Sequence, residues 1–200
     1  MTWASLNFRY PHFPGIVLGR GPSLDRWIEQ NPEPPEGHIL IGVNNVCSVV
    51  PCQFSVSCDT DANYWSDYPT QWVRGIPYLD YANRKTSMLP DEVGDCWFNH
   101  GTNTIESREA SLMQSRSEIA KSRNLFIATS SAHPAIHLSA YIGLERITLV
   151  GMDGCGGRAK CTDDGTSRTP PSDKDYQGMK EITERICNTL YRDNWCHWHP

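Results

Sequence analysis

Residues Gly15 to Trp27, GIVLGRGPSLDRW, constrain this chain more than any other stretch. Gly15-Ile16-Val17-Leu18 has the length and apolar composition of a buried parallel strand. It stops at Gly19-Arg20-Gly21, and Pro22-Ser23-Leu24-Asp25 leads into a sequence able to form a helix. A strand, a glycine turn and a helix start aim backbone N–H groups and the positive end of a helix at an anion. Gly19 and Gly21 would let a phosphate or ribose approach the backbone, and Ser23 would cap the helix and donate its hydroxyl. The competing reading is an ordinary strand-to-helix turn, because the full dinucleotide glycine pattern is missing.

Two hundred residues suit a single domain able to bury a sizeable core without staples. A net charge of -5 gives no sequence-independent grip on nucleic acid. The first residues, MTWASLNFRYPHFPG, lack a basic region followed by an apolar run, and no stretch reaches the roughly 18 apolar residues of a membrane helix. A soluble, cytoplasmic protein is therefore expected, with its eight cysteines as reduced, mostly buried thiols. With no CxxC, the best metal cluster that can be assembled is Cys155 and Cys161 with the tail Cys196, His197 and His199, and it is the weaker reading.

Residues 1–14 read as an extended arm. The second buried strand, His38 to Val43, ends at Asn44-Asn45, amides at a carboxyl strand end where open α/β sheets bind ligands. A third strand, Gln53 to Cys58, runs into Asp59-Thr60-Asp61. Two carboxylates so spaced suit Mg²⁺ or Mn²⁺ on a diphosphate, or else a helix cap. Ile76 to Leu79 reads as a short strand, and 82–123, polar and irregular, as a lid or insertion containing a strand at Cys96-Trp97-Phe98 and a helix within Glu106 to Ser122.

Thr129-Ser130-Ser131 opens a helix over Ala132 to Ile142 with Gly143 as its stop, a second anion cradle. His133 stands in its first turn, and His137, one turn on, reads as packing. Ile147 to Val150 is a buried strand that delivers Asp153 at its carboxyl end. Residues 154–173 read as a mobile loop, Asp175 to Tyr191 as an amphipathic helix, and Asn194 to His199 as an edge strand. The expected fold is α/β and Rossmann-like, an open, mostly parallel sheet with helices on both faces.

Three pieces, GRGPSLD after a strand, NN after the next, and TSSAHPAIHLSAYIGLERITLVGMDG, together resemble two related groups. One is the 6-hydroxymethylpterin pyrophosphokinase-like domain family, the other the bacterial sialyltransferases that use CMP-sialic acid. The resemblance spans residues 15–60 and 124–195. It implies that Gly21, Pro22, Ser23, Asn44 or Asn45, Thr129, Ser130 and Ser131 hold a donor nucleotide. The pyrophosphokinase-like group implies magnesium on Asp59, Asp61 and Asp153. The sialyltransferases carry a general-base histidine where this chain has Ser167 to Asp173, with none.

The leading expectation is a glycosyltransferase that moves a sugar from a nucleotide-sugar donor to an acceptor hydroxyl on a glycan, a protein or a modified nucleobase. Its candidate bases are Asp153, His133 and Asp59, in that order. The alternatives are a magnesium-dependent diphosphokinase and a non-catalytic nucleotide-binding module. A homo-oligomer is compatible with the sequence.

Overall fold

The computed structural model describes residues 3–57, 70–76, 96–99, 113–121, 125, 130–154, 157–163, 172–191 and 196–198. Seven strands form one open sheet: β1 (Pro14–Leu18), β2 (Ile39–Val43), β3 (Phe54–Ser57), β4 (Gln71–Ile76), β5 (Cys96–Asn99), β6 (Arg146–Val150) and β7 (Cys196–Trp198). Their order is β5-β4-β3-β2-β1-β6-β7, and every pairing is parallel. From β1 the chain first winds toward β5, then returns to lay β6 against β1's other side. Val17 thus pairs with Ile41 on one side and with Leu149 on the other. That reversal between β1 and β6 is the topological switch point, where sheets of this kind open a crevice beyond their carboxyl ends.

The alternation of side chains along each strand feeds two cores. Val17, Ile41, Phe54, Val56, Ile147 and Leu149 point to one face, under α1 (Trp3–Leu6), α3 (Arg116–Lys121), α4 (Ala132–Tyr141) and α5 (Asp173–Tyr191). Ile16, Leu18, Leu40 and Val150 point to the other, where they meet Leu24 and Trp27 of α2 (Ser23–Gln30). Each fully buried aliphatic contributes about 1.5–3 kcal/mol. The Rossmann-like α/β architecture with helices on both faces is therefore the fold of this chain.

α4 is buried along all ten residues, His133 and His137 included. A stop at its far end comes from the first residues of the chain: the N–H groups of Phe8 and Tyr10 donate to Tyr141 O and Ile142 O at 3.0 and 2.9 Å. Residues 3–13 are thus not the extended arm expected, but a helical turn followed by a bent segment with positive φ at Phe8 (51°) and His12 (70°). α5 begins with a reciprocal cap, Ser172 Oγ donating to Asp175 Oδ2 at 2.6 Å while Asp175 N–H donates back at 3.3 Å.

A strand covers Gln71–Ile76, and of the strand expected over Ile76 to Leu79 only Ile76 is among the described residues. Within 82–123, the expected strand and helix are both present, β5 pairing with β4 and α3 burying Ile119 fully, while the rest of the expected lid or insertion lies outside the described residues. Among the described residues, no helix is long and apolar enough to cross a membrane.

Candidate functional site

A cleft of about 790 Å³, open mouth included, lies at the switch point. The β1–α2 turn contributes Gly19, Arg20 and Gly21, the end of β2 contributes Val43 and Asn44, and the start of α4 contributes Ser130, Ser131 and Ala132. Gly151, Met152 and Gly154 follow β6, Gly157 and Arg158 come from the next loop, and α5 closes the wall with Tyr176, Met179, Lys180 and Thr183. Predicted residues Gly19, Gly21, Asn44, Ser130 and Ser131 are thus brought together. Asp59, Asp61 and Thr129 lie outside the described residues.

The turn after β1 differs from the expected anion cradle in how its amides are used. Gly19 N–H donates to Val150 O and Gly21 N–H to Gly151 O, both at 2.7 Å. Ser23 N–H donates to Asp153 Oδ2 at 3.1 Å, and Leu24 and Asp25 N–H close the turn onto Gly21 O and Pro22 O. The anion at the positive end of α2 is the protein's own Asp153. Ser23 is buried, its Oγ accepting the Gly151 N–H at 2.8 Å, and neither it nor Pro22 lines the cleft. The glycines serve backbone packing between two strand ends: a Cβ on Gly19 would overlap Gly151 O, and one on Gly21 would overlap Asp153 Oδ2. Gly151 (φ 68°) faces Gly19 just as closely.

The same geometry sets the surroundings of the two leading base candidates. Asp153 caps α2 and is not part of the cleft wall, although Met152 and Gly154 beside it are. His133 is fully buried between α4 and α5, with Nε2 3.5 Å from Met179 O and Nδ1 without a hydrogen-bond partner. Burial lowers its pKa to about 4, against a smaller opposing effect of the Met179 carbonyl. It is a neutral packing residue, as His137 was expected to be.

Asn44 stands in the left-handed region (φ 56°), which asparagine tolerates better than most residues. Its carbonyl accepts Ser55 Oγ at 2.9 Å, while its side-chain Oδ1 is buried in the cleft wall without a hydrogen-bond partner. Asn45 points elsewhere: it is buried and donates through Nδ2 to Thr162 O at 3.0 Å. Arg20 Nη2 donates to that same carbonyl at 2.9 Å.

The cleft's charge comes from residues that motif reading passed over. Arg20, Arg158 and Lys180 bring three cations from three separate elements, and the described wall residues include no carboxylate. Lys180 Nζ sits 5.6 Å from the Trp198 ring centroid, which fixes the stem of its side chain across β7. Arg20 was the variable position between two glycines, Arg158 lies in a stretch without periodicity, and Lys180 sits on the polar side of an amphipathic helix. None of the three carries a spacing signal.

Of the span 154–173 expected to be a mobile loop, residues 157–163, which bear Arg158, are tied down, and 155–156 and 164–171 lie outside the described residues. Ala159 N–H donates to Arg20 O at 2.6 Å, and Asp25 of α2 accepts Lys160 N–H at 2.8 Å and Cys161 N–H at 3.1 Å. Burial alone would raise the Asp25 carboxyl, but the Cys161 thiol and these two N–H groups outweigh it and hold it below its ordinary value. The same contact, with burial first, pushes the Cys161 thiol up to about 12. No group of three or more His, Cys, Asp or Glu that could hold a metal exists among the described residues. Comparisons of the chain with protein-family models, with curated proteins and with solved structures gave no match.

Proposed function

We propose that the switch-point cleft binds a nucleotide by its phosphate groups and that the chain is a transferase acting on a nucleotide-sugar donor. One observation carries this reading: Arg20, Arg158 and Lys180 converge on an open crevice at the switch point whose described wall has no carboxylate. Arginine forks match phosphate oxygens in geometry as well as charge. When an acceptor hydroxyl attacks the anomeric carbon, the bond from that carbon to the phosphate oxygen breaks and the electron pair stays on the phosphate. Cations already in place stabilise that developing charge. Ser130 and Ser131 supply polar contacts for ribose or sugar hydroxyls. The resemblance of the GRGPSLD and TSSAHPAIHLSAYIGLERITLVGMDG stretches to the CMP-sialic-acid-dependent enzymes supports the donor class.

With Asp153 and His133 turned to structural work, the acceptor's proton acceptor is sought among residues outside the described set, Asp59 first. Magnesium on Asp59 and Asp61 belongs to the competing diphosphokinase reading.

The experiment is to incubate the full chain with a panel of nucleotide sugars and with ATP, with and without EDTA. Release of the nucleoside phosphate from a sugar nucleotide is the expected result. AMP release from ATP would replace the proposal with a diphosphokinase, and binding without turnover would reduce it to a nucleotide-binding module. Loss of turnover in EDTA would show that a metal is required, and Asp59→Asn and Asp61→Asn would then test whether that pair holds it.

A further inference from the structure

Arg158 makes no hydrogen bond with any described residue, so its place in the cleft is set by the backbone that carries it. That backbone is the segment 157–163, entered at Gly157 with φ 87°, which ends in a 3-10 turn over Lys160–Thr162. Three anchors hold it. Ala159 is buried in the core beside α2, with its N–H on Arg20 O. Thr162 O receives both Arg20 Nη2 and Asn45 Nδ2. Asp25 offers one carboxylate oxygen to each of two consecutive amides, Oδ2 to Lys160 and Oδ1 to Cys161, across 135 and 136 residues of sequence.

We infer that Asp25 is a positioning residue for the cleft: it caps the turn after Ala159 and so holds Arg158 facing α5 without touching the ligand itself. A carboxylate accepts on both oxygens, whereas an amide would turn a donor NH₂ toward one of two N–H groups and lose that bond. Asp25→Asn keeps shape and volume and removes the two-oxygen cap. The half-buried side chain stands outside both cores, so the variant keeps the fold.

The inference uses the phosphate reading of the cleft for its affinity arm, with inorganic pyrophosphate as the probe. Asp25→Asn should weaken pyrophosphate binding about tenfold, the size of one lost charge-assisted contact. In the Asp25→Asn/Arg158→Ala double variant, the loss should not exceed that of Arg158→Ala alone, because both act through one side chain. Effects that multiply would mean that Asp25 acts by general destabilisation, and would overturn the inference. A second arm needs no ligand. Trypsin cleavage after Arg158 and hydrogen exchange at the Lys160 and Cys161 amides should each accelerate about tenfold in Asp25→Asn at an unchanged melting temperature. Unchanged rates would overturn the inference. If the wild-type chain binds no pyrophosphate, the phosphate reading fails, and the second arm still decides whether Asp25 holds the segment.

Discussion

Single residues at the β1 and β6 ends show how little room the two turns leave each other. Gly21 lies against Gly151 O and Asp153, so Gly21→Ala must push the α2 cap or the β6 turn aside. Its cost should be that of overpacking, about 1–3 kcal/mol of unfolding free energy, read from urea denaturation. A neutral Gly21→Ala would show that the strand ends can separate. His133 makes a prediction of a different kind. Its folded pKa of about 4 lies below the ordinary histidine value near 6.5. Between those values the unfolded chain binds a proton that the folded chain refuses. Stability therefore falls as pH drops through this window, by about 1.4 kcal/mol per pH unit from this residue. Replacing it with a neutral side chain, as in His133→Leu, should flatten that slope in denaturation curves recorded between pH 4 and 6.5. An unchanged slope would show that the imidazole is protonated in the folded protein.

Elements rather than residues set the cleft's charge, since Arg20, Arg158 and Lys180 come from a turn, a loop and α5. Arg158→Ala should weaken nucleotide binding by roughly ten- to a hundredfold, and Lys180→Ala by less, because an ammonium is a point charge without the guanidinium's fork. Isothermal calorimetry at low and high salt would separate these contacts, since rim charges are screened more than enclosed ones. This is also the scale at which sequence reading succeeded and failed. Short, mostly apolar runs such as Ile39–Val43 and Ile147 to Val150 were legible because buried parallel strands carry apolar residues toward both faces. The helix over Ala132 to Tyr141 was legible from its apolar spacing and terminal glycine. What the glycine turn does was not legible. The pattern that aims amides at an outside anion is the same one that packs two strand ends together, and only the position of Asp153 distinguishes them. The cations were not legible either, because charged positions on loops and solvent faces carry no periodicity.

The whole molecule ties ligand binding to stability. A ligand present at about 100 times its Kd adds about 2.7 kcal/mol to the unfolding free energy. For a chain of this size that corresponds to a rise in Tm of roughly 5–10 °C. Scanning calorimetry with a set of nucleoside mono- and diphosphates should find at least one that produces such a rise. If none does, the cleft is not a nucleotide site.

Because Pro14 pairs with Arg146, β1 waits for a neighbour encoded 132 positions downstream. During synthesis, the five strands β1 to β5 can form while β6 and β7 are still unmade. The cleft cannot, since one wall comes from the first turn and the other from Tyr176 to Thr183. On the ribosome, competence to hold a ligand is therefore acquired only once α5 has been made, and all at once. Until then the exposed flank of β1 is an open strand edge, the feature of a nascent chain that most invites the wrong partner.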